Sequence, residues 1–271
     1  MIREMRIRNY SPRTITTYVS EVSHLAQYFN TPPDQITSDL IKEYLQFKIQ
    51  NQGCSVSLVN QIISALKILY QDVLERQWDE LRIKRPHKEK KLPVILSPQE
   101  VSSVITQTRN LKHKTILAMA YSAGLRRQEL VNLKVSDIDS ARMVVRIKNG
   151  KGKKDRETLL ASNTLNLLRQ YYFAYKPSDI LFEGYPPGTP ISSTSISCIL
   201  KKSLKKAGIN KKATIHSLRH SFATHLLEQG TNIKIIQRLL GHNSIKTTMV
   251  YLQVAKIDPQ TVSSPFDNLK A

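Results

Sequence analysis

The chain is short of several residue types. Its 271 residues include two cysteines, nine glycines and one tryptophan, and acidic residues number 21 against 41 basic ones. Cys54 and Cys198 stand alone and far apart, so they make neither a metal-spacing motif nor a disulfide framework. They read as reduced thiols in a cytoplasmic protein. No run of about 18 apolar residues occurs, which argues against a membrane span. No apolar segment follows the basic N-terminus, which argues against a signal peptide. Neither G-x-x-x-x-G-K-[ST] nor G-x-G-x-x-G is present, so no nucleotide cofactor is expected. No metal-ligand cluster is visible, so no metal is expected either.

The shortage of acid leaves a formal net charge of +20. It is unevenly spread. Residues 1–86 hold 11 basic and 9 acidic residues, a net of +2, and the remaining 30 and 12 leave +18 on residues 87–271. A basic excess of this size argues for a polyanionic partner.

In chain order, Ser11-Pro12 is an N-cap followed by proline in the first turn. Ile15, Tyr18, Val22, Leu25 and Phe29 then recur at helical spacing. The same spacing predicts helices over about 38–50 and 55–76. Residues 1–83 therefore read as a small all-helical bundle, and the first domain is placed at 1–86. Residues 84–93, KRPHKEKKLP, are charged and proline-bearing, and a basic linker is set at 87–95. The second domain is 96–271. It opens on the capping box Ser97-Pro98-Gln99-Glu100. Helices are predicted to about Gln107, then from about His113 to Ala123, then as a short helix bearing Arg126, Glu129 and Leu130. Residues 143–147 and 156–160 read as a β-hairpin with Lys151 near its tip. Further helices are expected over 162–175, 192–207, 215–228, 232–240 and 244–251. The fold class is mainly α with one small β-hairpin.

Residues 201–212 contain six lysines and no acid: Lys201, Lys202, Lys205, Lys206, Lys211 and Lys212. A run this basic is usually a solvated face. Here it immediately precedes the richest stretch of the chain and is a candidate for phosphate-backbone contact.

That stretch is 214–253. His216 and Arg219 stand at i and i+3, on one helix face. His242 follows Gly241 at a helix-ending step, and Tyr251 comes nine residues later. The order H-x-x-R-H, L-G-H, Y resembles the tyrosine recombinase (phage integrase) family. Ser122-Ala123-Gly124-Leu125-Arg126-Arg127-Gln128-Glu129-Leu130 resembles its first-arginine block, and Gly150-Lys151-Gly152 stands where the family has its lysine-bearing turn. Nearly the whole chain is covered. The N-terminal bundle and LPVILSPQEV look most like the Xer-type and integron-type members. Two departures are Ala123 where T-G-L-R is common, and Gln253 where Y-x-H is common. Neither touches a group assigned to chemistry.

The resemblance implies a SAM-like core-binding bundle followed by a catalytic domain of the DNA breaking-rejoining fold. It also implies a tetramer, a dimer of dimers, acting on double-stranded DNA, and a tail after Tyr251 passed to a neighbouring protomer through Val254, Ile257 and Phe266. The implied catalytic set is Arg126, Lys151, His216, Arg219, His242 and the nucleophile Tyr251. The residue types suit that work. Tyrosine, with an ordinary pKa of about 10, needs a cationic site to attack a phosphodiester. Arginine forks bind non-bridging oxygens in pairs. Histidines donate or shuttle protons, and Lys151 can protonate a leaving 5′-hydroxyl. Of the remaining histidines, His220 reads as a structural hydrogen-bonder and His225 as a packing residue. Glu129 reads as a support for Arg126 or a helix cap. Competing readings are a type IB topoisomerase-like relaxing enzyme and a non-catalytic DNA-binding regulator.

Overall fold

The computed structural model describes residues 1–78, 83–87, 92–148 and 155–256. The chain divides into two units, Met1–Lys90 and Lys91–Ala271.

The first unit is helical. Helix α1 (Ile2–Ile7) is short and packs Met5, which is fully buried. It has no clear signal in the sequence, because six residues offer only one helical repeat of apolar positions. Helix α2 (Pro12–Phe29) starts where Ser11 accepts a bond from the Thr14 amide at 3.2 Å, and Asn30 ends it in the left-handed conformation. Helices α3 (Ser38–Gln50) and α4 (Val56–Lys67) are capped the same way by Thr37 and Ser55. A wider π-helical stretch, Ile68–Val73, extends α4. Leu25, Ile41, Tyr44, Ile62, Leu66 and Tyr70 close the core of this unit. Tyr70 donates its hydroxyl to Pro33 O at 2.6 Å, which anchors the α2–α3 connection.

In the second unit, α5 (Pro98–Thr106) begins at the capping box, with bonds of 3.2 Å from the Glu100 amide to Ser97 and 2.8 Å from the Ser97 amide to Glu100. Helix α6 (Leu111–Ser122) buries Ile116, Leu117, Met119 and Ala120 and is the central element. Its apolar residues run all round, as a helix covered on every side requires. Next come α7 (Arg127–Asn132) and an antiparallel sheet of β1 (Ile138–Asp139), β2 (Val144–Ile147) and β3 (Arg156–Leu159), in that spatial order. The two-residue β1 was not expected from the sequence; it is too short to show alternation. Register pairs Val145 with Thr158 and Ile147 with Arg156. Val145 and Ile147 face the core, and Thr158 donates to Ala123 O at 2.9 Å, tying β3 to the end of α6. Helices α8 (Ser162–Tyr175), α9 (Ser193–Lys206), α10 (Ile215–Glu228), α11 (Ile233–Leu240) and α12 (Ile245–Met249) complete the unit. Among the described residues no helix is long and apolar enough to cross a membrane.

The boundaries differ from expectation at two functional positions. Arg126 lies just ahead of α7, with extended backbone (φ −73°, ψ 152°), rather than within the helix. The helix expected over 244–251 stops at Met249, and a 3₁₀ turn, Val250–Gln253, carries Tyr251. The expected turn about Gly150-Lys151-Gly152 lies outside the described residues, as do Ile257 and Phe266.

Candidate active site

Two left-handed glycine turns frame the site. Gly124, after α6, has φ +58°, and a Cβ there would stand 2.4 Å from Phe222 Cδ1. Its carbonyl accepts from Arg219 Nη1 at 2.7 Å. Gly241, after α11, has φ +60°, and an added Cβ would stand 2.6 Å from Arg156 Cδ. Its carbonyl accepts from Arg126 Nη2 at 3.1 Å, and Leu240 O accepts from Arg219 Nη2 at 2.6 Å. Backbone oxygens of the G-L-R and L-G-H segments thus hold both arginines. Glycine is required because each turn has positive φ and presses on a neighbouring side chain.

One carboxylate ties the cations together. Glu129 Oε1 accepts from Arg126 Nη1 and from Arg156 Nη1, both at 2.7 Å. Oε2 accepts from Arg156 Nη2 at 2.7 Å and from the Arg126 amide at 2.8 Å, and lies 3.9 Å from Arg219 Nη1. Glu129 is thus the expected ion-pair partner of Arg126, and the helix it caps is its own, α7, rather than a neighbouring one. Burial alone would raise its carboxyl, but bonds and charge from Arg156, then the bonds from Arg126, hold it at about 2. Arg156 also donates Nε–H to Leu239 O at 2.9 Å. Nothing in the sequence marked Arg156. The signal is its place on β3, where alternation opposes it to Ile147 at the sheet's end.

Arg219 is 3% exposed. Burial, then the charge of Arg126, draws its guanidinium down to about 9 against the pull of Glu129. Arginine stays charged in proteins, so the shift marks a cation stripped of water and short of an anion. Each guanidinium has five N–H donors. Arg126 gives two side-chain bonds, to Glu129 and Gly241 O, and Arg219 gives two, to Gly124 O and Leu240 O.

Tyr251 is 1% exposed. Burial raises its hydroxyl, while Arg219 and Arg126 pull it the other way. The Oη atom lies 3.1 Å from Nδ1 of His220. His242 stacks beside Tyr251, with ring centroids 6.4 Å apart at 16°, and its Nδ1 is bonded to Thr248 Oγ1 at 2.9 Å. That bond leaves Nε2 for other partners. Burial, then Arg219 and Arg126, depresses His242 to about 4, and burial, then His216 and Arg219, depresses His220 to about 4. His216, exposed on the first turn of α10, is lowered by partial loss of solvent and then by Arg219, Arg127 and Arg126. All three rings are neutral donors or acceptors at neutral pH.

A cavity of about 340 Å³ collects Arg126, His216, Arg219, His220, His242 and Tyr251 in its wall. Five of the six residues named as a catalytic set from sequence thus meet there, and the sixth, Lys151, lies outside the described residues. A second cavity of about 740 Å³ shares Arg126, Gly241, His242 and Asn243 with the first and adds Arg146, Lys148, Arg156, Lys234 and Arg238. His225 is buried and bonds the Tyr121 hydroxyl at 2.9 Å, a packing role.

The lysine run is heterogeneous. Lys211 pairs with Glu100 at 2.6 Å and donates to Ile95 O at 3.1 Å, so it closes the start of α5. Lys202 and Lys206 lie close enough to His113 to help depress its pKa, after burial and Lys112. His113 is nine residues before the end of α6, which places those lysines roughly 14 Å along the helix from the Arg126 end at 1.5 Å per residue. Lys201, Lys205 and Lys212 are exposed.

Two arginines, an acid that orders them, neutral histidines and a buried tyrosine are groups suited to phosphoryl transfer through a covalent tyrosine. Comparison with known proteins agrees. Residues 95–257 match the phage integrase family, and residues 1–80 match the phage integrase N-terminal SAM-like domain. A Sinorhizobium fredii protein that carries an integrase/recombinase name, y4qK, is 39% identical over 270 residues, 99% of this chain and 88% of its own. Tyrosine recombinase XerA of Pyrococcus horikoshii is 34% identical over 254 residues, covering 92% of this chain and 86% of its own. A crystal structure of XerA recombinase aligns at 30% identity with a TM-score of 0.57, over 96% of this chain and 92% of that one. The structure of XerH recombinase bound to its difH substrate shares the fold at 22% identity and a TM-score of 0.73, over 93% and 79%. The chain belongs to the phage integrase family and is a tyrosine-type site-specific recombinase.

Proposed function

We propose that this enzyme cuts and rejoins double-stranded DNA through a 3′-phosphotyrosyl bond to Tyr251, using neither ATP nor metal. Arg126 and Arg219 grip the two non-bridging oxygens of the scissile phosphate. Attack by Tyr251 Oη forms the O–P bond as the bond to the 5′-oxygen breaks. That oxygen leaves with a proton from Lys151. His216 and His242 donate to the phosphate, which their neutral rings do without adding charge. A 5′-hydroxyl from a second strand then attacks the phosphotyrosine, releases Tyr251 and completes exchange.

The observation that carries this reading is the charge count around Glu129. Arg126, Arg156 and Arg219 surround a single carboxylate, a cluster with two uncompensated positive charges. A five-coordinate phosphorane carries two negative charges on its non-bridging oxygens. That surplus balances the transition state better than the phosphodiester, which carries one negative charge.

DNA is the partner, contacted by the basic wall of the larger cavity and by Lys201, Lys205 and Lys212; Lys202, Lys206 and Lys211 complete the proposed lysine contact set. The working assembly is a tetramer on two duplexes, in the cytoplasm. The test is a plasmid with two copies of the target site. Recombinant products and a tetrameric complex are expected. Relaxation of a plasmid without any site, with no exchange, would show a topoisomerase instead.

A further inference from the structure

The nearest polar contact to the nucleophile is not one of the catalytic residues named above. It is His220, one residue after Arg219, with Nδ1 3.1 Å from Tyr251 Oη and ring centroids 5.7 Å apart. His220 and Tyr251 both line the cavity that holds Arg126, His216, Arg219 and His242. The geometry restrains both partners: α10 carries the imidazole, and the 3₁₀ turn carries the phenol. His242 does not compete for this role through Nδ1, which Thr248 Oγ1 occupies.

We infer that His220 is the general base of the cleavage step, accepting the Tyr251 proton on Nδ1 as Oη bonds to phosphorus. The inference rests on Tyr251 being the nucleophile. Before attack, the phenol donates to Nδ1, and the ring proton sits on Nε2. During attack the Oη–P bond forms, the P–O5′ bond breaks, the Oη–H electrons stay on oxygen, and the proton moves to Nδ1. Lys151 supplies the separate proton that the 5′-oxygen needs. On rejoining, the imidazolium returns its proton to the departing phenolate.

The energetics favour a concerted transfer. The charged and titratable groups facing the ring are His216 and Arg219 on α10, His242 after α11, Arg126 ahead of α7 and Tyr251. With its solvent removed and Arg219 beside it, the free ring is a weak base, so Tyr251 is not ionised at rest. Once oxygen begins to bond to phosphorus its affinity for the proton collapses, and the ring becomes the better base. The incoming phosphate also offsets Arg126 and Arg219. This arrangement keeps the nucleophile silent until DNA is seated.

The test is single-turnover adduct formation on a site that the wild type cleaves and Tyr251→Phe does not, so failure of the nucleophile assignment is seen first. His220→Asn keeps a hydrogen-bonding atom near the Nδ1 position but takes no proton. We expect unchanged DNA affinity and adduct formation slowed by about 10²–10⁴-fold. Its rate should climb about tenfold per pH unit as hydroxide takes over, where the wild-type profile is flatter. His220→Ala, melted to confirm its fold, should regain rate with added imidazole. A bridging 5′-phosphorothiolate, whose thiolate leaves without a proton, should rescue Lys151→Ala but not His220→Asn. An undiminished rate in His220→Asn overturns the inference. So does rescue of that variant by sulfur, or an unaltered pH profile.

Discussion

Replacing Glu129 with glutamine should unseat the whole cation cluster. Four short bonds end on this carboxylate, from Arg126 Nη1, Arg156 Nη1, Arg156 Nη2 and the Arg126 amide. Its side chain is 7% exposed. A carboxyl held at about 2 rather than 4.5 favours the folded state by roughly 3 kcal/mol when ionised. The substitution also leaves three crowded guanidiniums with no anion, and breaking a buried pair on one side typically costs about 3–5 kcal/mol. The expected loss at pH 7 is therefore ~3–5 kcal/mol, or a fall of roughly 6–20 °C in melting temperature at about 2–4 °C per kcal/mol. The sign of the pH dependence follows from the depressed pKa. The stabilisation is complete above about 4.5 and is lost as pH falls towards 2, so the gap between the two proteins should close over that window. Circular dichroism is the suitable probe, because the single tryptophan, Trp78, belongs to the other unit. A loss below about 1 kcal/mol at pH 7, or a gap that stays constant down to pH 2, would refute the reasoning.

Other consequences can be measured alongside. Arg219→Lys cannot reach both Gly124 O and Leu240 O, and single-turnover cleavage should slow by about 10²–10³-fold with the fold retained. Gly241→Ala combines a strained φ of +60° with a 2.6 Å approach to Arg156; it should destabilise by about 1–3 kcal/mol and slow cleavage, read by melts and adduct gels. His220 and His242, both held at about 4, are neutral when folded but take protons near 6.5 when unfolded. Stability should fall as pH drops from 6.5 to 4, by up to about 1.4 kcal/mol per pH unit for each ring, and the double Asn variant should flatten that slope in pH-dependent denaturation. Substituting Lys234 and Arg238 with glutamine should reduce the salt dependence of DNA binding by about one unit of slope each, measured by titration at several salt concentrations.

Much of the fold was legible because its helices announce themselves locally. Ser11, Thr37, Ser55 and Ser97 each precede an apolar repeat and cap the helix that follows. Where local signals were weak, tertiary contacts decided. Helix α1 exists because Met5 finds a pocket, and the turn that carries Tyr251 tightens to 3₁₀ where α10 packs against it. Arg126, His216, Arg219, His242 and Tyr251 were legible as a candidate set through the resemblance of the blocks that carry them, and the structure brings them to one cavity. The site was not readable where a role depends on which atom faces which. His220 reads as a structural hydrogen-bonder, which its bond to Tyr251 is, but only the fold shows that its partner is the candidate nucleophile. Arg156, 27 residues from Glu129 in sequence, reaches it only through the sheet register.

The most direct measurement is to trap the covalent complex and identify the residue that holds the DNA. Nicked duplexes tiled from the DNA flanking the gene allow the cleaved fragment to escape, and peptide mapping of the trapped protein then locates the link. The expected result is a 3′-phosphodeoxynucleotide on Tyr251, formed in the presence of chelator and without ATP, and absent from Tyr251→Phe. A link to another residue, or cleavage that survives in Tyr251→Phe, would contradict it.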